Sequence, residues 1–268
     1  MTLFTKVIQG AGATTAAVAN RVDLGDVTLP AGDWTITRAW AYGAITGSFA
    51  ATQTLSGYIQ LESEDCLIAP FEFPLQPVGG YVTVGGAGAH PPIKQIINCP
   101  AKGGAIIHVY HVQDDAVAAS EVQVVIEFSN SGSPWGSGQL HSKAGEPSVA
   151  CGTADDGAVS LTNIEIKASQ LHKLIIYGMQ ATMTADCSFV ATFVVTSDDF
   201  AEPGPLEGAI NPHMGGETDT VGSMNALTEY ELNRTFRSPG QKQTVSCMAT
   251  VRDALAGNGH YNWFLIYS

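Results

Sequence analysis

The sequence predicts an all-β protein made of two tandem eight-stranded jelly-roll β-sandwiches, a double jelly roll. Two observations carry this prediction. The second half of the 268-residue chain repeats the first, and both halves consist of short apolar segments separated by turns rich in Gly, Pro and acidic residues. Many short strands joined by such turns favour a sandwich, for which the jelly roll is the most economical eight-stranded form. An immunoglobulin-like sandwich fits less well because the chain lacks the Cys–Trp–Cys spacing of that fold.

The clearest repeat joins the ends of the two halves. Residues 114–129 align with residues 253–268 at a constant offset of 139 positions without a gap. Both copies of this block carry an apolar residue at every second position, which is the period of a strand with one buried face. Shorter matches follow in the same order at offsets of 134 to 136, which indicates duplication of a whole domain: Tyr42-Gly43 with Tyr177-Gly178, Ser63-Glu64-Asp65 with Ser197-Asp198-Asp199, Leu75-Gln76-Pro77 with Ile210-Asn211-Pro212, and Gly79-Gly80 with Gly215-Gly216.

β-Branched and aromatic segments mark the predicted strands, and little of the chain has a helical pattern. In the first half these segments are residues 35–42, 54–61, 81–84, 105–112 and 121–128, and in the second they are residues 171–177, 189–196, 244–251 and 260–267. Residues 223–236 are the exception, because their composition fits a short helix and a loop-capping turn almost equally well.

A Gly- and Pro-rich stretch divides the chain. Residues 133–156 are predicted to be a linker between an N-terminal jelly roll, residues 1–132, and a C-terminal jelly roll, residues 157–268. Each half is long enough to bury its own core. The residues expected in the two cores are Trp40, Ile59, Leu61, Val109, Ile126 and Phe128 in the first half, and Ile175, Phe193, Val195, Val251, Leu265 and Tyr267 in the second.

The composition excludes several functional classes. The net charge is −13 with only 12 Lys and Arg residues, which disfavours direct sequence-specific binding of nucleic acid because phosphate contacts require clustered cations. No run of about 18 apolar residues that could span a bilayer is present. Residues 1–20 lack the continuous apolar region of a secretory signal, so we expect synthesis and assembly in the cytoplasm. The combination of 45% hydrophobic and 14% charged residues leaves neutral surfaces that favour protein–protein assembly.

The residues with chemical potential do not form a catalytic motif. The chain lacks a nucleophile elbow, a phosphate loop and a zinc-binding HExxH sequence, so it is predicted not to be an enzyme and to need no cofactor. The five cysteines form no CxxC pair and are interpreted as small buried apolar residues. His108 and His111, three positions apart on a predicted strand, should point to opposite faces and therefore share no metal.

Pairs of acidic residues are the one pattern that could bind a cation. Asp114 with Asp115 and Asp198 with Asp199 are weak Ca²⁺ candidates, because Ca²⁺ takes six to eight oxygen ligands. Asp is also a common turn former, and these pairs follow predicted strands. Solvated turns are therefore the favoured interpretation, with a structural Ca²⁺ ion, for example between subunits, as the alternative.

The duplicated pattern, the aromatic closing strands and the absence of a catalytic signature resemble the double jelly-roll major capsid proteins of the adenovirus, tectivirus and corticovirus lineage. This resemblance implies a structural virion protein that forms homotrimers, each a pseudo-hexagonal capsomer of an icosahedral capsid assembled in the host cytoplasm. It also implies partnership with further copies of the chain, with minor capsid or penton proteins, and with an internal lipid membrane. No signature peptide accompanies the resemblance, and the polar, small-residue N-terminus differs from the basic amphipathic helix of some relatives.

Two matching Pro-rich loops, one in each half, are the predicted subunit contacts. They span residues 66–80 and 200–216 and supply the interface candidates Phe71, Phe73, Leu75, Leu206 and Ile210. Trp135, in the predicted linker, is a further candidate because exposed aromatic residues are enriched at interfaces. The alternatives are that the loops fold over their own sandwich and that Trp135 anchors the linker.

Two other functions fit the same fold. A jelly-roll lectin could stack sugar rings on Trp34, Trp40, Tyr81 and Trp135. An extracellular filament subunit could assemble by strand exchange, which would require secretion. An enzyme is the least compatible class because no acid, base and nucleophile converge in the pattern.

Overall fold

The structure is a computed structural model of chain residues 3–14, 20–46, 53–67, 69–76, 78–80, 92–113, 119–136, 138–145, 149–150, 157–180, 188–214, 227–251 and 259–268. These residues form strands, turns and loops and contain no α-helix, and most of them are strand. All strand pairs are antiparallel. The predicted all-β class is confirmed.

The described residues of the first half form ten strands, of which eight make up two four-stranded sheets. Sheet 1A has the order β1-β10-β3-β8 and sheet 1B the order β2-β9-β5-β6, while β4 and β7 pair as a short hairpin-like extension. The strands are β1 (Leu3–Ala11), β2 (Val22–Thr28), β3 (Asp33–Ile45), β4 (Gln53–Leu55), β5 (Tyr58–Glu62), β6 (Phe71–Pro74), β7 (Val78–Gly80), β8 (Gln95–Lys102), β9 (Ile106–Val112) and β10 (Ser120–Ser129).

The second half repeats this arrangement. Sheet 2A has the order β11-β20-β15-β18, with β12 also pairing with β20, and sheet 2B has the order β13-β19-β16-β17, with β14 also pairing with β19. The strands are β11 (His141–Ala144), β12 (Val149–Ala150), β13 (Ala158–Ser160), β14 (Ile164–Lys167), β15 (Gln170–Gln180), β16 (Ser188–Thr196), β17 (Leu206–Met214), β18 (Thr228–Thr235), β19 (Lys242–Val251) and β20 (Gly259–Tyr267).

The strand order identifies each half as a jelly roll. When the eight principal strands of a half are counted in chain order, one sheet reads first, eighth, third, sixth and the other reads second, seventh, fourth, fifth. This order is that of an eight-stranded double Greek key, and it occurs in both halves. The two tandem jelly rolls predicted from the sequence are therefore confirmed.

The register shows which residues are equivalent in the two halves. Tyr42 on β3 lies opposite Gln123 on β10, and Tyr177 on β15 lies opposite Asn262 on β20. The strand pairs therefore match residue by residue at the offsets seen in the sequence. Sequence similarity that is weak at each site thus corresponds to superposable hydrogen-bond ladders.

Both halves also carry the same β-bulge. In the first, Ile97 and Asn98 on β8 lie opposite the single residue Thr37, and Asn98 has a φ of 54°. In the second half, the pair ending in Asn233, with a φ of 49°, lies opposite a single residue of β15. These are the only two non-glycine residues with positive φ in the described part of the chain, and Asn is the residue that tolerates this region best after Gly.

Each half has its own hydrophobic core between its two sheets. The alternating residues of the repeated closing strands face inward, with Phe128 in the first core and Leu265 in the second. Of the predicted core residues, Ile59, Leu61, Val109, Ile126 and Phe128 lie in the first core, and Phe193, Val195, Leu265 and Tyr267 lie in the second. Two predictions are wrong: Trp40 lies on the outer face of sheet 1A, and Ile175 belongs to a third cluster between the halves. The side chain of Val251 is outside the described residues.

Three local predictions need correction. Part of the stretch predicted as a linker, residues 133–156, is strand, because β11 and β12 pair with β20 and complete sheet 2A. The segment predicted as a helix or turn contains strand β18, whose alternating exposure shows that pairing with β15 overrides its helix propensity. The predicted contact loops contain strands β6 and β17. Residues 81–84, predicted as a strand, lie outside the described residues.

Candidate assembly surface

The two halves meet through the outer faces of sheets 1B and 2A. Outward-facing residues of sheet 2A, with Tyr177 and Phe264 at the centre, pack against Tyr58 and Val112 of sheet 1B. The buried members of this junction cluster are Tyr58, Val112, Ala144, Ile175, Tyr177, Leu227, Phe264 and Ile266. In an antiparallel sheet one face usually packs on the core and the other faces solvent. Both faces of sheet 2A are buried, which accounts for the continuous apolar sequence of β20.

Polar contacts fix the position of one half on the other. The hydroxyl of Tyr177 lies 3.3 Å from the backbone nitrogen of Gly57. Gly57 has a φ of 100°, and a Cβ atom there would lie 1.9 Å from the carbonyl oxygen of Val112, so only glycine allows this close approach. The hydroxyl of Ser142 donates to the carbonyl oxygen of Glu72.

Glu72 is a buried carboxyl group at this junction. It accepts hydrogen bonds from the backbone amide of Ala144 at 2.8 Å and from the side chain of Gln60 at 3.1 Å. Burial raises the pKa of Glu72 to about 6, against the opposing effects of the Ala144 amide and of Lys143. The junction therefore contains a group that titrates in mildly acidic solution.

Among the described residues, the equivalent face of the first half is only partly covered. Tyr42 occupies the position in β3 that Tyr177 occupies in β15, but Tyr42 is 46% exposed, whereas Tyr177 is fully buried. Leu3 and Val7 on the edge strand β1 lie on the same outer face of sheet 1A, and Val7 is 60% exposed. We call this surface, the outer side of sheet 1A, the 1A face.

An ion pair and two indole rings occupy another part of the 1A face, and Gln9, Glu121 and Gln123 form a hydrogen-bonded polar group on the same side of the sheet. The guanidinium of Arg38 bonds to the carboxylate of Glu127 at 2.9 Å and lies 3.7 Å from the ring centroid of Trp135. Burial alone would raise the pKa of Glu127, but hydrogen bonds from Arg38, Thr37 and Trp135 outweigh it, so the pKa lies below its usual value. The ammonium of Lys94 lies over the ring of Trp40 at 4.6 Å. The cations on this face are therefore paired with a carboxylate or with aromatic rings.

The outer side of sheet 2B, which we call the 2B face, packs against no other sheet in the part of the chain that the structure describes. Its centre is formed by paired residues of β16 and β19, Val194 with Met248 and Thr192 with Thr250. Ala158, Ser160 and Ala209 continue the face on the neighbouring strands. The described side chains on this central part are uncharged, and charged residues such as Glu207 lie at its margin.

Exposed apolar residues concentrate on these two faces. Among the described residues, seven large hydrophobic side chains are exposed. Leu3, Val7, Tyr42 and Trp135 lie on the 1A face, Met248 lies on the 2B face, and Phe4 lies at the edge of sheet 1A. Phe4 points toward the first core, where it packs against Trp34 and Phe128, and Ile106 lies at the start of β9 in sheet 1B. Exposed apolar side chains grouped on one face mark a candidate protein-binding surface.

The structure places most of the predicted interface residues in the cores. Phe71, Phe73, Leu75 and Ile210 are fully or almost fully buried, and Leu206 is half-buried against the second core. Their segments are strands β6 and β17, so these side chains point inward rather than toward a neighbour. This arrangement agrees with the alternative interpretation of the sequence, in which these loops fold over their own sandwich. Trp135 is 39% exposed and anchors the segment after β10 to the 1A face through its ring nitrogen, which donates to Glu127 at 3.1 Å.

The acidic pairs form matched turns. Asp65 follows β5, and its carboxylate accepts a hydrogen bond from the backbone amide of Ile106 at 3.0 Å. Asp199 follows β16, and its carboxylate accepts one from the amide of Thr244 at 3.3 Å. In each turn a serine two residues earlier, Ser63 or Ser197, accepts a bond from the aspartate amide.

Asp199 thus has a structural role, while Asp198 lies beside it in the same turn. Asp114 and Asp115 lie outside the described residues. Within the described ranges, no three His, Cys, Asp or Glu side chains come together in a group that could hold a metal ion. Ca²⁺ binding remains a prediction.

The aromatic residues proposed for sugar stacking are mostly covered. Trp34 lies in the first core and Trp40 is buried beneath Lys94, while Tyr81 lies outside the described residues. Trp135 has one ring face against Arg38. The part of the chain that the structure describes contains no helix long and apolar enough to cross a membrane.

Comparisons with known proteins find similarity at the level of structure. No protein-family model matches the chain, and no curated protein matches it in sequence. The crystal structure of STIV MCP, a viral major capsid protein, aligns with 100% of this chain and 97% of its own, at 9% identity and a TM-score of 0.44. PNGase F, a glycosylasparaginase from Flavobacterium meningosepticum, aligns with 99% of this chain and 96% of its own, at 12% identity and a TM-score of 0.48. PNGF-II aligns with 98% of this chain and 65% of its own, at 10% identity and a TM-score of 0.47.

Proposed function

We propose that this protein is a structural, self-assembling protein, the major capsid protein of an icosahedral virus, and that three copies form a pseudo-hexagonal capsomer. The observation that carries the proposal is the presence of exposed apolar side chains on two outer faces. The outer side of sheet 2A is covered within the chain by sheet 1B. Its counterpart, the 1A face, and the 2B face, the counterpart of the covering surface, both carry exposed side chains among the described residues.

The duplicated fold indicates which surface should cover the 1A face. Within the chain, the outer side of sheet 1B lies on the outer side of sheet 2A, so a B sheet of one half contacts the A sheet of the other. The same contact between chains would place the 2B face of one copy on the 1A face of the next. This contact is heterologous, so copies close into a ring or continue into a filament. A ring of three chains has six similar lobes, which tile a hexagonal lattice.

The chemistry of the two faces suits a permanent contact. Met248, Val194 and small neutral residues would face Val7, Tyr42 and Leu3, so that association buries apolar area between mostly uncharged side chains. Interfaces of permanent oligomers typically bury about 2,000 Å² or more. Because the contact does not depend on ion pairs, it should persist at about 1 M NaCl, where the Debye length is about 3 Å.

Light scattering coupled to size-exclusion chromatography tests the proposal. The wild-type protein should have the mass of a trimer at low and high salt and give shells or sheets by negative-stain electron microscopy. Tyr42→Glu and Met248→Glu, which place a charge on opposite partners of the contact, should each give folded monomers. Ile106→Glu is the matched control, since it adds the same charge to an exposed apolar site outside both faces, and it should remain trimeric.

Three results would contradict the proposal. A wild-type monomer at every salt concentration that binds a glycan array would support a lectin. Long filaments without rings would support an open heterologous assembly. Trimers that survive both Tyr42→Glu and Met248→Glu would place the subunit contact elsewhere.

A further inference from the structure

Two cysteines come together in the first half, although their positions in the sequence are far apart. Cys66 lies in the turn that follows β5, and Cys99 lies in β8 at the edge of sheet 1A. The sulfur of Cys99 is 3.1 Å from the carbonyl oxygen of Cys66, and the two thiols share a hydrogen bond. Both are free thiols. The turn and the strand therefore contact each other at these two cysteines.

The surroundings give the two thiols different roles. The hydrogen bond from the Cys99 thiol lowers the pKa of Cys66 to about 7 against the opposing effect of burial, with further help from Ser63. The hydrogen bond with Cys66, followed by burial, raises the pKa of Cys99. Since the thiolate is the nucleophile in thiol–disulfide exchange, Cys66 is the attacking residue and Cys99 the resolving one.

Small reagents can approach this pair. Cys66 is only half-buried, whereas Cys99 is fully buried. A cleft of about 680 Å³ adjoins the site, and its walls include Asp65 and Pro100, the chain neighbours of the two cysteines. An oxidant therefore reaches Cys66 first.

The second half shows that the fold does not require thiols here. By the offset of the preceding turn, the residue equivalent to Cys66 is Phe200, which pairs with Phe236 at the end of β18 through a backbone bridge and a ring contact at 5.5 Å. In both halves, therefore, this turn contacts the edge strand of an A sheet, which is β8 in sheet 1A and β18 in sheet 2A. The first half makes this contact with two groups that can be joined covalently.

We propose that Cys66 and Cys99 are a modification site that forms a reversible disulfide, fastening the turn after β5 to strand β8. With a low-molecular-weight disulfide such as oxidised glutathione, the Cys66 thiolate attacks one sulfur and releases one glutathione thiolate. Cys99 then loses its proton and attacks the Cys66 sulfur of the mixed disulfide, which releases the second glutathione. The protein loses two electrons and two protons, and one glutathione disulfide is reduced to two thiols.

The full-length protein, incubated with oxidised glutathione or with a reducing phosphine, provides the test. After oxidation, intact mass should fall by about 2 Da, the loss of two hydrogens, and a tryptic digest without reductant should contain one peptide pair joined through residues 66 and 99. The melting temperature should rise by roughly 5–10 °C relative to the reduced protein and return after reduction.

Variants separate this site from the other cysteines. Cys66→Ser, at the less buried position, should abolish the mass change and the shift in melting temperature. Cys247→Ala is the matched control because Cys247 is a lone buried thiol in the second core, and its oxidation should match that of the wild type. Persistent glutathione on Cys66 with a free Cys99 thiol, a cross-link to any other cysteine, or two thiols that stay alkylatable after oxidation would each overturn the proposal.

Discussion

The carboxylate of Glu72, on β6 of the first half, accepts a hydrogen bond of 2.8 Å from the backbone amide of Ala144, on β11 of the second half. Edge strands leave unpaired amides that would otherwise need water or a partner strand. Glu72 satisfies one of these amides inside a buried junction. A single side chain therefore links the position of one jelly roll to the edge of the other.

Replacing Glu72 with Gln should change how stability depends on pH. The folded protein protonates Glu72 near pH 6, whereas the unfolded chain does so near the ordinary value of 4.5. Between these values the folded state binds more protons, so this group lowers the free energy of unfolding as pH rises. Glu72→Gln keeps an acceptor for Ala144 and removes the charge. It should be more stable than the wild type by about 2 kcal/mol at pH 7 and equal to it near pH 4.5, as measured by urea unfolding. A difference that does not vary with pH would contradict this assignment.

His111 should have the opposite effect. It is fully buried, its Nδ1 accepts from the amide of Ala13 at 2.9 Å, and its Nε2 lies 3.1 Å from the carbonyl oxygen of Ser56. Burial lowers its pKa from 6.5 to about 4. The unfolded chain binds the extra proton in this range, so His111 makes the folded state less stable as pH falls from 6.5 toward 4.

The two groups together predict a flat stability profile. Each contributes a slope of about 1.4 kcal/mol per pH unit, and the signs are opposite between roughly pH 4.5 and 6. The combined contribution of these two groups to the wild-type free energy of unfolding should therefore change little in this window. In Glu72→Gln the His111 slope alone remains, so stability should fall steadily on acidification. NMR titration of the His111 ring provides an independent measurement, and a His111 pKa near 6.5 would remove the basis of the prediction.

The equivalent closing strands should be equally sensitive to truncation. Phe128 and Leu265 are fully buried at matching alternation in β10 and β20. Phe128→Ala and Leu265→Ala should each cost about 3–5 kcal/mol, because each leaves a cavity in its own core. Gln123→Ala, on the exposed side of β10, is the matched control and should cost less than about 1 kcal/mol. Comparable stability of all three variants in urea would contradict the core assignment.

The bulge asparagines offer a test of backbone strain. Asn233 is exposed and has a φ of 49°, a region where a Cβ-bearing residue without a local hydrogen bond is disfavoured. Asn233→Ala should cost about 1 kcal/mol, whereas Asn233→Gly should be nearly neutral. Thermal unfolding of this pair isolates the conformational effect, since both variants lose the same amide group. Equal losses would show that the side-chain amide, rather than φ, determines the residue.

Much of the fold could be predicted because duplication doubles the signal. The alternation in β10 is ambiguous alone, but its recurrence in β20 at a constant offset fixed both the strand and the domain size. Segments without such alternation were missed. Strand β6 is flanked by prolines and β2 contains acidic residues, so both resemble loops in sequence, although pairing with β5 and β9 makes them strands.

The assembly surface was less predictable for a physical reason. Apolar residues in Pro-rich segments, such as Phe71 and Phe73, are equally compatible with a core and with an interface, and only the strand register decides between them. The repeated Tyr42 and Tyr177 did carry a signal. Their equivalence was visible in the sequence, but their opposite exposure depends on which sheet covers which. The contact between Cys66 and Cys99 joins a turn to an edge strand that is far away in the sequence, and no local sequence pattern indicates it.

The bulge that ends in Asn98 and Asn233 also has a historical consequence. An identical insertion, with the same residue in the same left-handed conformation, occurs in both halves. Independent acquisition would require two matching events, so the bulge belonged to the single-domain ancestor before its gene was duplicated. Where the halves differ, as at the thiols of the first and the paired phenylalanines of the second, at least one half has changed since that event. The ancestor thus already had the frame of this fold, and six separate copies of it could have occupied the places that three chains are proposed to fill.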